Sequence, residues 1–289
     1  MLIDTHQHLW TYNHRDYAWM TSEMDSLRRN FLVPDLREAM QRAGVDGTIA
    51  VQARQTVAET QWLLGLSALH PFILGVVGWV PLSEADVARE LERWSTDPKL
   101  RGVRHVLHDE PDDFYILRDD FNRGITLLKD FSLAYDILIF ERHLPQAITF
   151  VDRHPQQVFV LDHVAKPRIR HGALSPWKEN ITELAKRENV YCKVSGMATE
   201  ADWKAWRADQ LRPYFDVVLA AFTPKRLMFG SDWPVLTLAA EYPSWVQTFY
   251  SFIADLTPAE RESICFGTAT EAYRLSASQD GMPSGKENE

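Results

Sequence analysis

A single (β/α)8 barrel of the TIM type is the α/β fold class that the sequence predicts, on three observations. Eight short apolar runs alternate with longer amphipathic segments along the chain. Neither a Gly/Ser-rich linker nor a shift in composition divides them into two domains. The competing architecture, a doubly wound open sheet, usually carries a glycine-rich turn after its first strand, and none follows Leu2–Leu9.

The first run, Leu2–Leu9, leads into Trp10–Pro34, which is too long for a standard strand-to-helix connection. That stretch is expected to cover an active site, with Tyr17 and Trp19 as candidate cover residues. A helix is expected over Asp35–Ala43, where Pro34 suits the opening turn and Gly44 the stop. The second strand is Gly47–Gln52, and Glu59–Leu69 follows with Trp62, Leu63, Leu66 and Leu69 on one helical face. The third strand is Phe72–Val80, followed by Glu84–Trp94 with Ser83 as its N-cap. Strands four to eight are Gly102–Leu107, Leu133–Phe140, Val158–Asp162, Val190–Val194 and Arg226–Gly230. Runs such as Ile137-Leu138-Ile139-Phe140 are apolar on consecutive residues, as parallel strands covered on both faces must be. Helical spacing fills the gaps over Leu117–Phe131, Leu144–His154, Trp177–Arg187, Leu211–Phe222 and Tyr242–Leu256. A C-terminal helix, Pro258–Tyr273, opens with Thr257 and Glu260 at capping-box spacing. The barrel is therefore assigned to residues 1–275, and the polar stretch 276–289 to a flexible tail.

Composition narrows the function. Apolar residues make up 45% of the 289 and charged residues 25%, enough apolar chain for a full core without staples. Forty acidic against 31 basic residues leave a net charge of −9, which argues against a nucleic acid or an anionic membrane as partner. A small neutral substrate fits better. Cys192 and Cys265 form no disulfide framework and no CxxC pair, so buried thiols in a reducing compartment are expected. The N-terminus lacks the pattern of a signal peptide, and the most apolar stretch, Phe72–Leu82, is far short of the ~20 residues that span a bilayer. A cytoplasmic location is expected.

Barrel chemistry sits at the C-terminal ends of the strands. The first strand ends Asp4-Thr5-His6-Gln7-His8, and alternation puts His6 and His8 on one side with Gln7 facing away. Two imidazoles so placed could hold a metal or polarise a carbonyl, although an isolated His-x-His is more often one core and one solvated histidine. The sixth strand ends Leu161-Asp162-His163 and the eighth Phe229-Gly230-Ser231-Asp232-Trp233-Pro234. Strand ends far apart in sequence thus converge on His6, His8, His163 and Asp232.

With those residues the chain resembles the amidohydrolase superfamily. Val76-Val77-Gly78-Trp79, Gly102-Val103-Arg104-His105, Leu161-Asp162-His163, Cys192-Lys193-Val194-Ser195-Gly196 and Phe229-Gly230-Ser231-Asp232-Trp233-Pro234-Val235 narrow the likeness. It is similar to the sugar-acid lactonase branch typified by L-fuconolactonase and L-rhamnonolactonase, in order from residue 2 to about residue 275. The resemblance implies a carboxylic-ester hydrolase that opens a neutral sugar-acid lactone to the aldonate in carbohydrate catabolism. Two-metal members of the superfamily resemble one another in a bridging Lys on the fourth strand and a His on the fifth. Here the fourth offers Arg104 and His105, and Leu133–Phe140 contains neither His nor Lys. That departure leaves one divalent ion, zinc by ligand type, on His6, His8 and Asp232, with His163 a further candidate ligand. The lactonase branch does not clearly need a metal, so the ion is expected to be dispensable.

Lactone hydrolysis needs an activated water, a polarised carbonyl and a proton for the leaving oxygen. Asp232 is the expected general base, its pKa raised by burial beside Trp233. His6, His8 and His163, or a cation they hold, would stabilise the oxyanion. Substrate contacts are expected from Gln52, Arg54, Trp79, Arg104, His105, His108, Glu141, Arg142, Lys193 and Trp233, all at or just after strand ends. A metal-dependent decarboxylase of the same superfamily and a non-catalytic barrel binding sugar acids or a protein are the alternatives.

Overall fold

The computed structural model describes residues 1–275; the tail expected at 276–289 lies outside the described residues. Eight parallel strands pair in chain order: β1 (Ile3–Gln7), β2 (Gly47–Val51), β3 (Ile73–Gly78), β4 (Leu100–Val106), β5 (Ala134–Leu138), β6 (Phe159–Leu161), β7 (Val190–Val194) and β8 (Leu227–Phe229). Each lies within one or two residues of a run expected from the sequence, and nearly every strand residue is buried. The barrel closes where β8 returns to β1: the amide of His8 donates to the carbonyl of Trp233 at 2.7 Å, and that of Asp232 to His6 at 2.8 Å. Asp4 clasps this seam. It is fully buried and accepts from the Ser231 amide (2.8 Å), the Ser231 hydroxyl (2.5 Å) and the Tyr242 hydroxyl. Burial holds its pKa above the usual carboxylate value although these donors oppose the shift.

Helices α1 (Val33–Ala43), α2 (Val57–Leu69), α3 (Val87–Trp94), α4 (Asp119–Leu128), α5 (Leu144–Arg153), α6 (Trp177–Leu184), α7 (Ala208–Phe222) and α8 (Tyr242–Phe252) follow the strands in turn. Gly44 ends α1 in the left-handed region at φ 71°, the conformation a C-terminal glycine adopts without strain. Thr56 caps α2 through the Glu59 amide. Two expectations are corrected. Ser83 does not cap α3, which starts four residues later; its hydroxyl bonds that of Tyr115 at 3.1 Å instead. The C-terminal helix does start at Thr257 with its capping box, but it breaks into α9 (Pro258–Glu262), a π-turn (Ser263–Gly267) and α10 (Thr268–Ala272). Just after α10, Tyr273 reaches into the barrel and donates to Asp136 of β5.

The long first connection carries a 3-10 turn over Ser22–Leu27 and is pinned by a two-bond bridge between Trp10 and Phe31, both bonds 2.9 Å. Cys192 and Cys265 are buried free thiols. No helix among the described residues is long and apolar enough to cross a membrane.

Candidate active site

Alternation along β1 brings His6 and His8 to the same side at the mouth of the barrel, with their Nε2 atoms 3.2 Å apart. The carbonyl of Val51 can only accept, so His8 donates to it through Nδ1 (2.8 Å) and presents Nε2 inward. His6 Nδ1 lies 3.2 Å from Asp162 Oδ1, which accepts its proton, and 3.2 Å from Lys193 Nζ. His163 is fixed through Nδ1 by the Ser195 hydroxyl at 2.8 Å. Asp232, at φ 61°, turns its carboxylate back over these rings, and Oδ1 lies 3.4 Å from His8 Nε2 and 3.8 Å from Nε2 of both His6 and His163. The four residues expected from separate strand ends therefore do meet around one point.

Burial pushes the pKa values of His6 and His163 well below the usual imidazole value, against the opposing pull of Asp162 on His6 and of Asp232 on His163. Burial thus favours the neutral form of both rings. The expected rise at Asp232 is overturned: burial does push its pKa up, but His163, His8 and Lys166 outweigh that and hold it at about 2. The sequence offers Trp233 as a neighbour, but it does not show the charges that other strands and loops bring to the same carboxylate. Trp233 itself is buried edge-on against Phe31.

The donor set fits a metal ion. With Nδ1 protonated on both His6 and His8, their Nε2 atoms stand 3.2 Å apart beside a carboxylate oxygen, and a cation there would take the His6 lone pair that now accepts from Arg104. Both nitrogens could reach one ion, since zinc–nitrogen distances are about 2.0–2.1 Å. His6, His8 and Asp232 form one buried group of suitable spacing, and His6, Asp162 and His163 a second that overlaps it.

Beneath this floor lies a buried ionic layer. Arg104 spans Asp162 (3.1 Å), His6 Nε2 (3.1 Å) and the Gln52 carbonyl, and the Gln52 side chain donates back to the Arg104 carbonyl. Lys193 pairs with Asp136 at 2.5 Å and Asp162 at 3.0 Å. Gln52 and Lys193 thus lie under the site rather than along the cavity above it. Burial raises Asp136 to about 6, whereas Lys193, His6 and Arg104 hold Asp162 well below the usual carboxylate range against its burial.

Above the floor opens a cavity of about 670 Å³. Arg54 lines it, paired with Asp16 of the first connection at 2.5 Å. His108 lines it with Asp109 (2.7 Å), and Lys166 with Glu200 (3.0 Å). Trp10, Trp19 and Trp203 supply aromatic surface; Tyr17 is buried beneath, its ring 5.6 Å from that of Trp10. The remaining expected contacts stand elsewhere. The Trp79 indole donates to His105 Nδ1 (3.3 Å), whose Nε2 pairs with Glu110 (2.7 Å), so both rings are occupied by one another. Glu141 pairs with Arg168 (2.5 Å) and Arg142 with Asp113 (3.2 Å), away from the cavity lining. Sequence reasoning gave no role to Lys166, Glu200 or Trp203. The one available signal was that Lys166 stands three residues after His163.

The chain is 41% identical to an L-fucono-1,5-lactonase of Burkholderia multivorans over 94% of this chain and 96% of that protein. It is 37% identical to an L-fucono-1,5-lactonase of Burkholderia ambifaria over 94% and 95%. A crystal structure of an amidohydrolase from Burkholderia multivorans with bound zinc superposes with a TM-score of 0.92 at 39% identity, covering 96% of this chain and all of that one. Residues 3–275 match the family described as Amidohydrolase, and the chain belongs to that family.

Proposed function

We propose that this enzyme hydrolyses a neutral sugar-acid 1,5-lactone of the L-fucono type to its aldonate, in carbohydrate catabolism and in the cytoplasm. The observation that carries the reading is the charge balance of the cavity. Every Arg or Lys along it has an acidic partner: Arg54 with Asp16, Lys166 with Glu200, Arg104 with Asp162. Such walls offer alternating donors and acceptors to a polyhydroxylated neutral ring. A decarboxylase must bind a carboxylate, which calls for a cation with charge to spare. A purely binding barrel has no use for a carboxylate set among imidazoles.

Asp232, ionised at neutral pH, takes the proton of a water as it attacks the lactone carbonyl and returns it to the departing ring oxygen. A carboxylate held ionised by its neighbours is a weak base, so donors at the developing oxyanion carry part of the catalysis. One such donor is worth roughly 3–4 kcal/mol. Arg104 Nη1 is held against His6 Nε2 at 3.1 Å and places a fixed positive charge beside this point. A divalent ion, zinc by ligand type, would be held by His6, His8 and Asp232 and would supply Lewis-acid polarisation of the carbonyl. Because a lactone is an activated ester, the ion is dispensable on this reading.

A pH-indicator assay on a panel of aldonolactones tests the reading. Turnover of L-fucono-1,5-lactone is expected to survive exhaustive chelation and to fall about 10²–10⁴-fold in Asp232→Asn. Inactivity across the panel would end the lactonase reading, and undiminished turnover in the variant would end the role given to Asp232.

A further inference from the structure

After β6 the chain passes through four consecutive non-glycine residues in the left-handed region: His163 (φ 52°), Val164 (48°), Ala165 (60°) and Lys166 (47°). Each such residue costs about 1–2 kcal/mol, and a β-branched valine there is a strong outlier. The turn is held from several sides. The Lys166 amide donates to the His163 carbonyl (2.8 Å), the Trp177 indole to the Val164 carbonyl (2.8 Å), and Val164 and Ala165 are fully buried. Strain so firmly maintained points to what the turn presents. Residues three apart in a helical turn share a face, and His163 and Lys166 accordingly both line the cavity, one at the floor and one on the wall.

Among the described residues Lys166 Nζ has Glu200 Oε1, at 3.0 Å, as its hydrogen-bond partner. Two of its three N–H groups and the second Glu200 oxygen are left for a ligand. Both side chains are partly open, 16% and 22% exposed, and both line the cavity. Beside them Trp203 has its indole N–H occupied by the Thr199 carbonyl (2.8 Å), which leaves its ring as apolar surface. A sugar hydroxyl both donates and accepts. A fixed ammonium beside a fixed carboxylate, at a spacing comparable to that of two gauche hydroxyl oxygens on adjacent carbons, is complementary to a vicinal diol.

We propose that the Lys166–Glu200 pair determines specificity by reading two adjacent hydroxyl groups of the lactone ring, with Lys166 donating to one oxygen and Glu200 accepting from the other. This rests on the lactone-hydrolase reading and deepens it. The test is a cycle between protein and substrate. Values of kcat/KM are measured for L-fucono-1,5-lactone and for its analogues lacking the C2, C3 or C4 hydroxyl, in wild-type enzyme, Lys166→Met and Glu200→Gln. Wild-type enzyme is expected to lose about tenfold or more, chiefly in KM, on deletion of either of two adjacent hydroxyls. In Lys166→Met the penalty at one of the two hydroxyls disappears and in Glu200→Gln the penalty at the other shrinks, while the penalty for the third deletion stays in both. Variants that slow the parent and every deoxy analogue by the same factor overturn the proposal. Wild-type enzyme inactive on the parent lactone overturns the lactone-hydrolase reading first, and this proposal with it. Glu200→Gln is isosteric, so if Lys166→Met fails to fold, the outcome with Glu200→Gln decides.

Discussion

His6 and His8 on the cavity floor ride on a strand whose side chains alternate, whereas Lys166 and Glu200 on its wall are carried by a left-handed turn and by a connection without regular structure. The floor is held by a buried ionic layer in which Arg104 and Lys193 balance Asp162 and Asp136. The wall is held by pairs that remain partly open to solvent. Floor and wall should therefore fail differently. Damage beneath the floor should cost the fold, and damage to the wall should chiefly cost recognition.

The largest expected effect tests the first half of that contrast. Lys193→Met removes an ammonium that touches both Asp136 and Asp162, fully buried at 2.5 and 3.0 Å. Breaking a buried pair from one side typically costs 3–5 kcal/mol, and urea denaturation should show a loss of about that size. Adding Asp136→Asn should restore part of it, because the partner is then neutral. A loss under 1 kcal/mol would mean that the layer does not hold the floor.

The same contrast explains what could be read from the sequence. All eight strands were legible from the alternation of short runs with longer amphipathic segments, several of them apolar on consecutive residues as parallel strands covered on both faces are, and His6 with His8 followed from side-chain alternation. His163 and Asp232 were legible as polar residues at strand ends. The clasp at Asp4 was not, because its partners Ser231 and Tyr242 stand more than two hundred residues away. Nor was the Lys166–Glu200 pair: His163-Val164-Ala165-Lys166 contains no glycine or asparagine to announce a left-handed turn. The direction of the Asp232 shift failed for a related reason, since burial can be guessed from a strand end but the neighbouring His163, His8 and Lys166 cannot.

A second, smaller effect belongs to the wall. Glu59 is buried under the loop that carries Arg54 and accepts from the Ala53 and Arg54 amides at 2.9 and 2.6 Å. Burial nevertheless lifts its pKa from 4.5 to about 7. The folded state thus binds this proton more tightly than the unfolded chain. The stability that comes from the bound proton is complete below pH 4.5, declines by about 1.4 kcal/mol per pH unit up to about 7, and is flat above. In Glu59→Gln that slope should vanish, so the stability gap between variant and wild type should move in the variant's favour by about 3 kcal/mol between pH 4.5 and 8. Denaturant titrations across that range check it. A gap independent of pH would mean that Arg54 keeps Glu59 ionised in the fold.

The smallest effect on the fold falls where floor and wall join. Gly196, after β7, has φ 66°, and a Cβ added there would stand 2.8 Å from Cβ and Cγ of His163. Gly196→Ala therefore meets two costs: about 1–2 kcal/mol for the left-handed backbone, and the displacement of a ring that anchors one end of the strained turn. Stability should fall in a thermal melt by at least the backbone share of about 1–2 kcal/mol, with the displaced ring adding to it. The consequence for the site is larger, because moving His163 disturbs the Asp232 constellation directly and shifts Lys166 through three intervening peptide units. If floor and wall act as one unit through this turn, kcat should drop and KM should rise together. A fall in kcat with KM unchanged would show that the wall keeps its place when the floor moves, and that the turn isolates the two rather than coupling them.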